Sequence, residues 1–302
     1  MRKSAFVAAG IAAGALFLLS QETSAPNVPI QVIVTVEARQ GKDVPSPNRE
    51  DFIAYQRHER LRVTDVVPLQ GDHAGLELFI LLDDASGLSL GSQLGDLRQF
   101  IQAQPAKTAI GIGYMRNGTV DIVQNFTADH SQAAQALRLP LSALGVMGSP
   151  YLSLSDLIQR WPGNSTRREV VLVTSGIDPL GMWPTNPYLD SAIEHAQRNG
   201  IVVYAIYTPG GGHAGHSFWR MNWAQNHLAQ IAEETGGEAY MLAPVSFEPY
   251  LADIAERLGH QYSVTVLMKP GNKAGFREVR FATEVPNADL VSASRVYVPG
   301  SH

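Results

Sequence analysis

The strongest constraint on this chain begins at Leu76, where short, near-continuous apolar runs start to alternate with segments of helical period. "LELFILL", "TAIGIGYM", "REVVLVTS" and "IVVYAIYT" are short, near-continuous apolar runs between helical segments, so they read as strands buried on both faces. "TVDIVQNF" follows the second of them through Asn117-Gly118, the dipeptide of a tight hairpin turn. Helical segments lie between. "LGSQLGDLRQFIQAQ" puts Leu90, Leu94, Leu97 and Ile101 on one face, and "SQAAQALRL", "YLSLSDLIQRW", "PYLDSAIEHAQRNG", "NWAQNHLAQIAEETGG" and "SFEPYLADIAERLG" follow, with a short strand "EAYML" before the last. Gly200 and the pair Gly236-Gly237 close two of these helices. The pattern predicts an α/β domain over residues 73–260: a doubly wound, mostly parallel sheet, helices on both faces, and one antiparallel hairpin at an edge.

The flanks read differently. "IQVIVTVEAR" alternates apolar and polar residues, and "DFIAYQRHERLRVTDVVPL" reads as two strands around the charged turn "RHER". After Gln261, "YSVTVLM", "FREVRFATEV" and "LVSASRVYVP" alternate again. A sheet of about three strands buries its apolar face only against a partner. Residues 26–72 and 261–302 are therefore expected to pack together as a small β-sandwich-like region, with the α/β domain inserted between them. Residues 1–25 differ from both. Arg2 and Lys3 precede an apolar run from Ala5 to Leu19, and small and polar residues lead to Ala25, the pattern of a signal peptide. The expected location is secreted, periplasmic or at the cell envelope, with membrane attachment only if this leader stays uncleaved. The chain has no cysteine, so neither a disulfide nor a lipidated cysteine is available. A net charge of −5, with both signs interspersed, lacks the basic stripe that nucleic acid requires. The Asn-x-Ser/Thr sites at Asn117, Asn125 and Asn164 matter only in a glycosylating pathway.

Ligands of open α/β sheets bind beyond the carboxyl ends of the strands. Three polar loops are expected there: Asp83-Asp84-Ala85-Ser86-Gly87-Leu88-Ser89, Gly148-Ser149-Pro150, and Thr174-Ser175-Gly176-Ile177-Asp178. Their order resembles that of von Willebrand factor type A domains, whose adhesion site holds Mg²⁺ with an Asp, two Ser, a Thr and a second Asp. From about residue 30 to 298 the chain also resembles secreted bacterial proteins related to that family, in which β-rich segments precede and follow the domain. The resemblance implies a Rossmann-like fold and a binding role. Carried onto this sequence, Asp84, Ser86 and Ser149 match the metal ligands, while Leu88 stands at the second serine and Ser175 at the second aspartate. Asp83 is expected to face away, because neighbours on a strand point to opposite sides. A set with one carboxylate predicts no resident cofactor and at most weak Mg²⁺ or Ca²⁺ binding.

A fourth loop, "TPGGGHAGHSFWRMNW", carries His213, His216, Phe218 and Trp219. A two-histidine set is short of the ligands zinc needs. With Ser89 and Asp178, these four are the candidate partner-contacting residues. Enzymatic signatures are weak: there is no G-x-S-x-G elbow and no phosphate-binding glycine loop. The sequence thus predicts an exported, non-catalytic module for a protein or cell-surface ligand. The alternatives are a secreted hydrolase built on Ser175, His213 and Asp178, and a structural envelope component.

Overall fold

The computed structural model describes residues 27–86, 88–141, 149–161, 167–181, 184–209, 217–241 and 245–301, with the backbone alone at Leu88 and Ser89. His213 and His216 lie outside these residues. No helix among the described residues is long and apolar enough to cross a membrane.

The chain opens with β1 (Val28–Ala38), β2 (Ile53–Gln56) and β3 (Glu59–Pro68). It then builds β4 (Leu76–Asp83), α1 (Leu88–Ser92), α2 (Leu94–Ala103), β5 (Thr108–Arg116), β6 (Thr119–Thr127), α3 (His130–Gln135), α4 (Pro150–Gln159), β7 (Arg168–Thr174), α5 (Pro187–Asn199), β8 (Ile201–Tyr207), α6 (Phe218–Thr235), β9 (Ala239–Tyr240) and α7 (Glu248–Gly259). The tail supplies β10 (Gln261–Met268), β11 (Gly275–Glu278), β12 (Arg280–Ala282), β13 (Ala288–Ser292) and β14 (Arg295–Val298).

The inserted body is a six-stranded sheet in the order β6-β5-β4-β7-β8-β9. All its pairings are parallel except β5 with β6. Its central strand β4 is buried at every position, and the period of two sorts its side chains into two cores. Leu78, Ile80 and Leu82 pack with Leu97 and Ile101 of α2 and Ile254 of α7. Phe79 and Leu81 pack with Tyr151 and Leu154 of α4, Ile193 of α5 and Leu228 of α6. Each such large side chain contributes about 1.5–3 kcal/mol by leaving water. At the β5–β6 turn both Asn117 (φ 52°) and Gly118 (φ 77°) take the left-handed conformation, as a two-residue hairpin turn demands.

The two flanks interleave in one antiparallel sheet, ordered β12-β2-β3-β10-β1-β13. β10 pairs with β1 on one side and β3 on the other, so neither flank could close the sheet alone. β11 and β14 form a separate ribbon, and Val296 and Val298 of β14 join the core of the larger sheet. Some segments that read as single elements are broken. "FREVRFATEV" divides at Val279, whose amide is taken by the Ser294 carbonyl (3.0 Å), and the chain passes there from ribbon to sheet. The helix expected from Leu90 to Ile101 is likewise two helices, α1 and α2, parted at Gln93.

Arg167 locks the body to the antiparallel sheet. Its guanidinium is buried and donates to Glu169 (3.2 Å), Gln261 (2.9 Å) and the carbonyls of Leu258 (2.6 Å) and Leu69 (3.3 Å). Burial pushes the Glu169 carboxyl up, opposed by Arg167 and Gln261. Gly236 (φ 84°) makes a second joint: a Cβ there would lie 2.6 Å from the backbone of Ser292 and Ala293. The starting ends of β4, β5 and β7 thus face the antiparallel sheet, and their carboxyl ends form the opposite pole.

Candidate functional site at the strand ends

Two consecutive carboxylates end β4, and they go to different places. Asp83 continues the face of Phe79 and Leu81, and Thr174 at the end of β7 continues the same face. The Thr174 hydroxyl donates to Asp83 Oδ2 (2.8 Å) and the Ala85 amide to Oδ1 (2.9 Å). Burial pushes the Asp83 carboxyl up, and these hydrogen bonds oppose it. Asp84 turns to the other side and is 0% exposed. Arg138 grips it in a fork, Nη1 to Oδ1 at 2.7 Å and Nη2 to Oδ2 at 3.0 Å, and the Leu141 amide adds a third bond to Oδ1 at 2.8 Å. The guanidinium lies 3.8 Å from the centre of the Tyr114 ring. The Tyr114 hydroxyl accepts from the Arg138 amide and donates to its carbonyl, both at 2.7 Å. The Asp84 hydrogen bond, against burial, raises the affinity of Arg138 for its proton.

The remaining predicted residues surround this pair unevenly. Ser86 is buried. Ser149 is buried at the position preceding α4 but makes no capping bond, and among the described residues neither its Oγ nor Ser153 Oγ, one turn further on, has a partner. The Ser175 hydroxyl accepts from the Ile177 amide (3.3 Å). Asp178 is buried and accepts from Leu180 N (3.0 Å) and Asn186 Nδ2 (3.1 Å), while Asn186 Oδ1 caps α5 through Tyr188 N (3.0 Å). Ser89 is placed by its backbone, within α1. Two groups that sequence reasoning passed over stand here. Arg138 holds Asp84. His227 on α6 sits edge-on to Tyr151, with ring centroids 6.1 Å apart, and burial holds its imidazole below the usual range. Asp156 on α4 accepts from the Val120 amide (2.9 Å) and from Arg160.

These residues do not fit a resident divalent ion. Mg²⁺ needs near-octahedral oxygens with free lone pairs. Asp84 gives its oxygens to Arg138 and Leu141, and Asp83 gives its own to Thr174 and Ala85. The assignment by strand alternation also lands differently from expectation. Asp83, set aside on the sequence, shares its face with Thr174 and α4, whereas Asp84 points toward Arg138. Among the described residues no group of three or more His, Asp or Glu side chains is arranged to hold a metal.

The same pole is apolar at its rim. Leu139, Leu141, Leu180, Phe218, Trp219 and Val245 are large apolar residues exposed to solvent, and all lie on segments at this end of the molecule. Leu141 is tied to Asp84, Leu139 lies against Gly91 of α1, and the Val245 carbonyl accepts from Gln93 between α1 and α2 (3.0 Å). Phe218 and Trp219 begin α6 and are 68% and 67% exposed. Their rings stand edge to face at 5.8 Å, and Trp219 lies 6.4 Å from Trp223. Packing against a helix, the ordinary fate of such rings, is not what happens to these two.

No family model matches the chain, and no curated protein sequence matches it. Solved structures do. The chain is similar to an aerotolerance-related membrane protein from Bacteroides fragilis NCTC 9343, with TM-score 0.48 and 13% identity over 61% of this chain and 98% of that one. It is similar to a von Willebrand factor type A protein from Catenulispora acidiphila, with TM-score 0.43 and 11% identity over 93% of this chain and 76% of that one. It is also similar to the pilus adhesin SpaC from Lactobacillus rhamnosus GG, with TM-score 0.47 and 10% identity over 74% of this chain and 37% of that one. These likenesses assign neither an activity nor a partner to this chain.

Proposed function

We propose that the chain is an exported, non-catalytic binding module that holds a protein or cell-surface partner through its strand-end face and needs no metal to do so. The observation that carries this reading is the set of six exposed apolar side chains on the segments of the pole where Asp84 is buried and already paired. Monomeric proteins rarely leave large apolar patches in water unless a partner covers them. Aromatic anchors such as Phe218 and Trp219 are also the residue types that dominate binding energy. The loop order that resembles von Willebrand factor type A domains supports the same face. The non-catalytic reading is supported by Ser175, whose oxygen accepts from an amide, and by Asp178, which is engaged in the α5 cap.

A photo-crosslinking residue at position 219 tests the proposal. With cell-surface extract and chelator present, it is expected to give a discrete adduct, and the same probe at Val123, an exposed apolar residue on edge strand β6, is expected to give none. Trp219→Ala and Phe218→Ala should weaken capture by roughly 2 kcal/mol or more each, the scale of interface hot spots. Equal adducts from positions 219 and 123, or adducts that vanish with chelator, would sink the reading.

A further inference from the structure

We infer that Arg138 is a built-in cation, which takes at Asp84 the charge-balancing role of a divalent ion and keeps the strand-end face assembled with no ion from solution. The inference rests on the reading of that face as the contact surface.

A carboxylate that is 0% exposed stays ionised only beside a compensating charge. Among the described residues the cation at Asp84 is Arg138. The match is geometric as well as electrical, because the planar fork presents two parallel N–H groups to the two carboxylate oxygens. Access is closed too. With Leu141 on Oδ1, an incoming ion would have to displace the guanidinium, and Tyr114 holds that arginine by its ring and by both backbone groups. The pair also shapes the surface. Arg138 Nη1 donates to the Leu139 carbonyl (3.1 Å), and Asp84 takes the Leu141 amide, so one ion pair pins the segment that carries the exposed Leu139 and Leu141. Arg138 is thus a positioning residue for the rim. Its 31% exposed side chain meets Asp121 at 3.9 Å on the outer side, so the site offers solvent no unbalanced positive charge.

The test uses the full chain, the bare metals Mn²⁺ and Mg²⁺, and no partner, so it fails separately from the crosslinking experiment. Calorimetric titration and thermal unfolding are compared for the wild type, Arg138→Lys, Arg138→Gln and Asp84→Asn/Arg138→Gln. The wild type and Arg138→Lys, which both carry a cation, are expected to show neither heat nor a Tm rise with millimolar Mn²⁺. Arg138→Gln frees the carboxylate while keeping most of the volume. Its Mn²⁺ affinity should rise at least about tenfold above that of the wild type, with a matching rise in Tm. The double variant should lose that gain, which a purely structural role for Arg138 would not produce. Asp84-dependent Mn²⁺ binding by the wild type, or a folded Arg138→Gln that stays silent, would overturn the inference. Should Arg138→Gln not fold, Arg138→Lys decides: silence supports the inference, and Mn²⁺ binding by that variant overturns it.

Discussion

Asp83 and Asp84 are adjacent in sequence, both buried, and held in opposite ways. Asp84 has a guanidinium, and Asp83 has a hydroxyl and backbone amides. The sheet imposes the division. Asp83 is the last residue of β4 and still obeys its alternation, so it falls on the face of the core packed by α4 and α5. Asp84 is one step past the strand and swings toward the segment after α3, where Arg138 can reach it. The same side chain therefore serves two purposes within one dipeptide: an ion-pair partner that organises a surface, and a buried acceptor that closes a turn.

The pair at Asp84 should break asymmetrically. Arg138→Ala leaves a buried carboxylate with the Leu141 amide, and removing one partner of a buried pair costs about 3–5 kcal/mol. Asp84→Asn leaves a guanidinium that is already part exposed and can turn to water, and its amide oxygen still accepts from Leu141. That loss should be about 1–3 kcal/mol. Urea unfolding of the two variants checks the order, and equal costs would mean that the carboxylate is not the more deeply committed partner.

Asp83 should respond to pH instead. Its folded-state carboxyl is raised, so between its ordinary value and the raised one the folded chain binds more protons than the unfolded chain. Its contribution therefore favours folding at acid pH and declines as pH rises through that window. Asp83→Asn removes the titration. Its cost relative to wild type should be greatest below the ordinary carboxylate range and shrink to about 1 kcal/mol or less by neutral pH. Denaturation series at acid and neutral pH give the sign directly, and a cost that grows toward neutral pH would contradict the burial argument.

Much of the frame was legible because it follows from local rules. The all-apolar β4 run, the turn at Asn117-Gly118 and the αL closure at Gly200 each depend on a few neighbouring residues. The split of "LVSASRVYVP" into β13 and β14 was not legible, because it is set by pairing with β1 on one side and β11 on the other. The site was legible as a location and not as a set of bonds. Asp83, Asp84, Ser149 and Ser175 do gather at the strand ends. What decides their chemistry is Arg138, 54 positions from Asp84 in the unremarkable run "ALRLPL". The one signal on offer was a charge in an apolar stretch that no helical face accounts for.

The smallest expected effect carries the comparison to the hydroxyls. Ser149 stands where a serine ordinarily caps a helix, and losing such a cap costs typically about 1 kcal/mol. Here the cap bond is not made, and among the described residues the buried Oγ has no partner, so the hydroxyl is desolvated with nothing from them in return. Replacing a buried, unpaired polar group by an apolar one is neutral or favourable. Ser149→Ala should therefore leave Tm unchanged or raise it slightly, equivalent to between zero and about 1 kcal/mol of added stability. The measurement separates two roles for the residue. A loss of stability near the ordinary cap value would mean that the hydroxyl does bond in solution, and the α4 side of the strand ends would then be as fully paired as the Arg138 side. A gain would mean that the two sides differ in kind. One has its charge balanced from within, and the other keeps a hydroxyl that the described residues do not use.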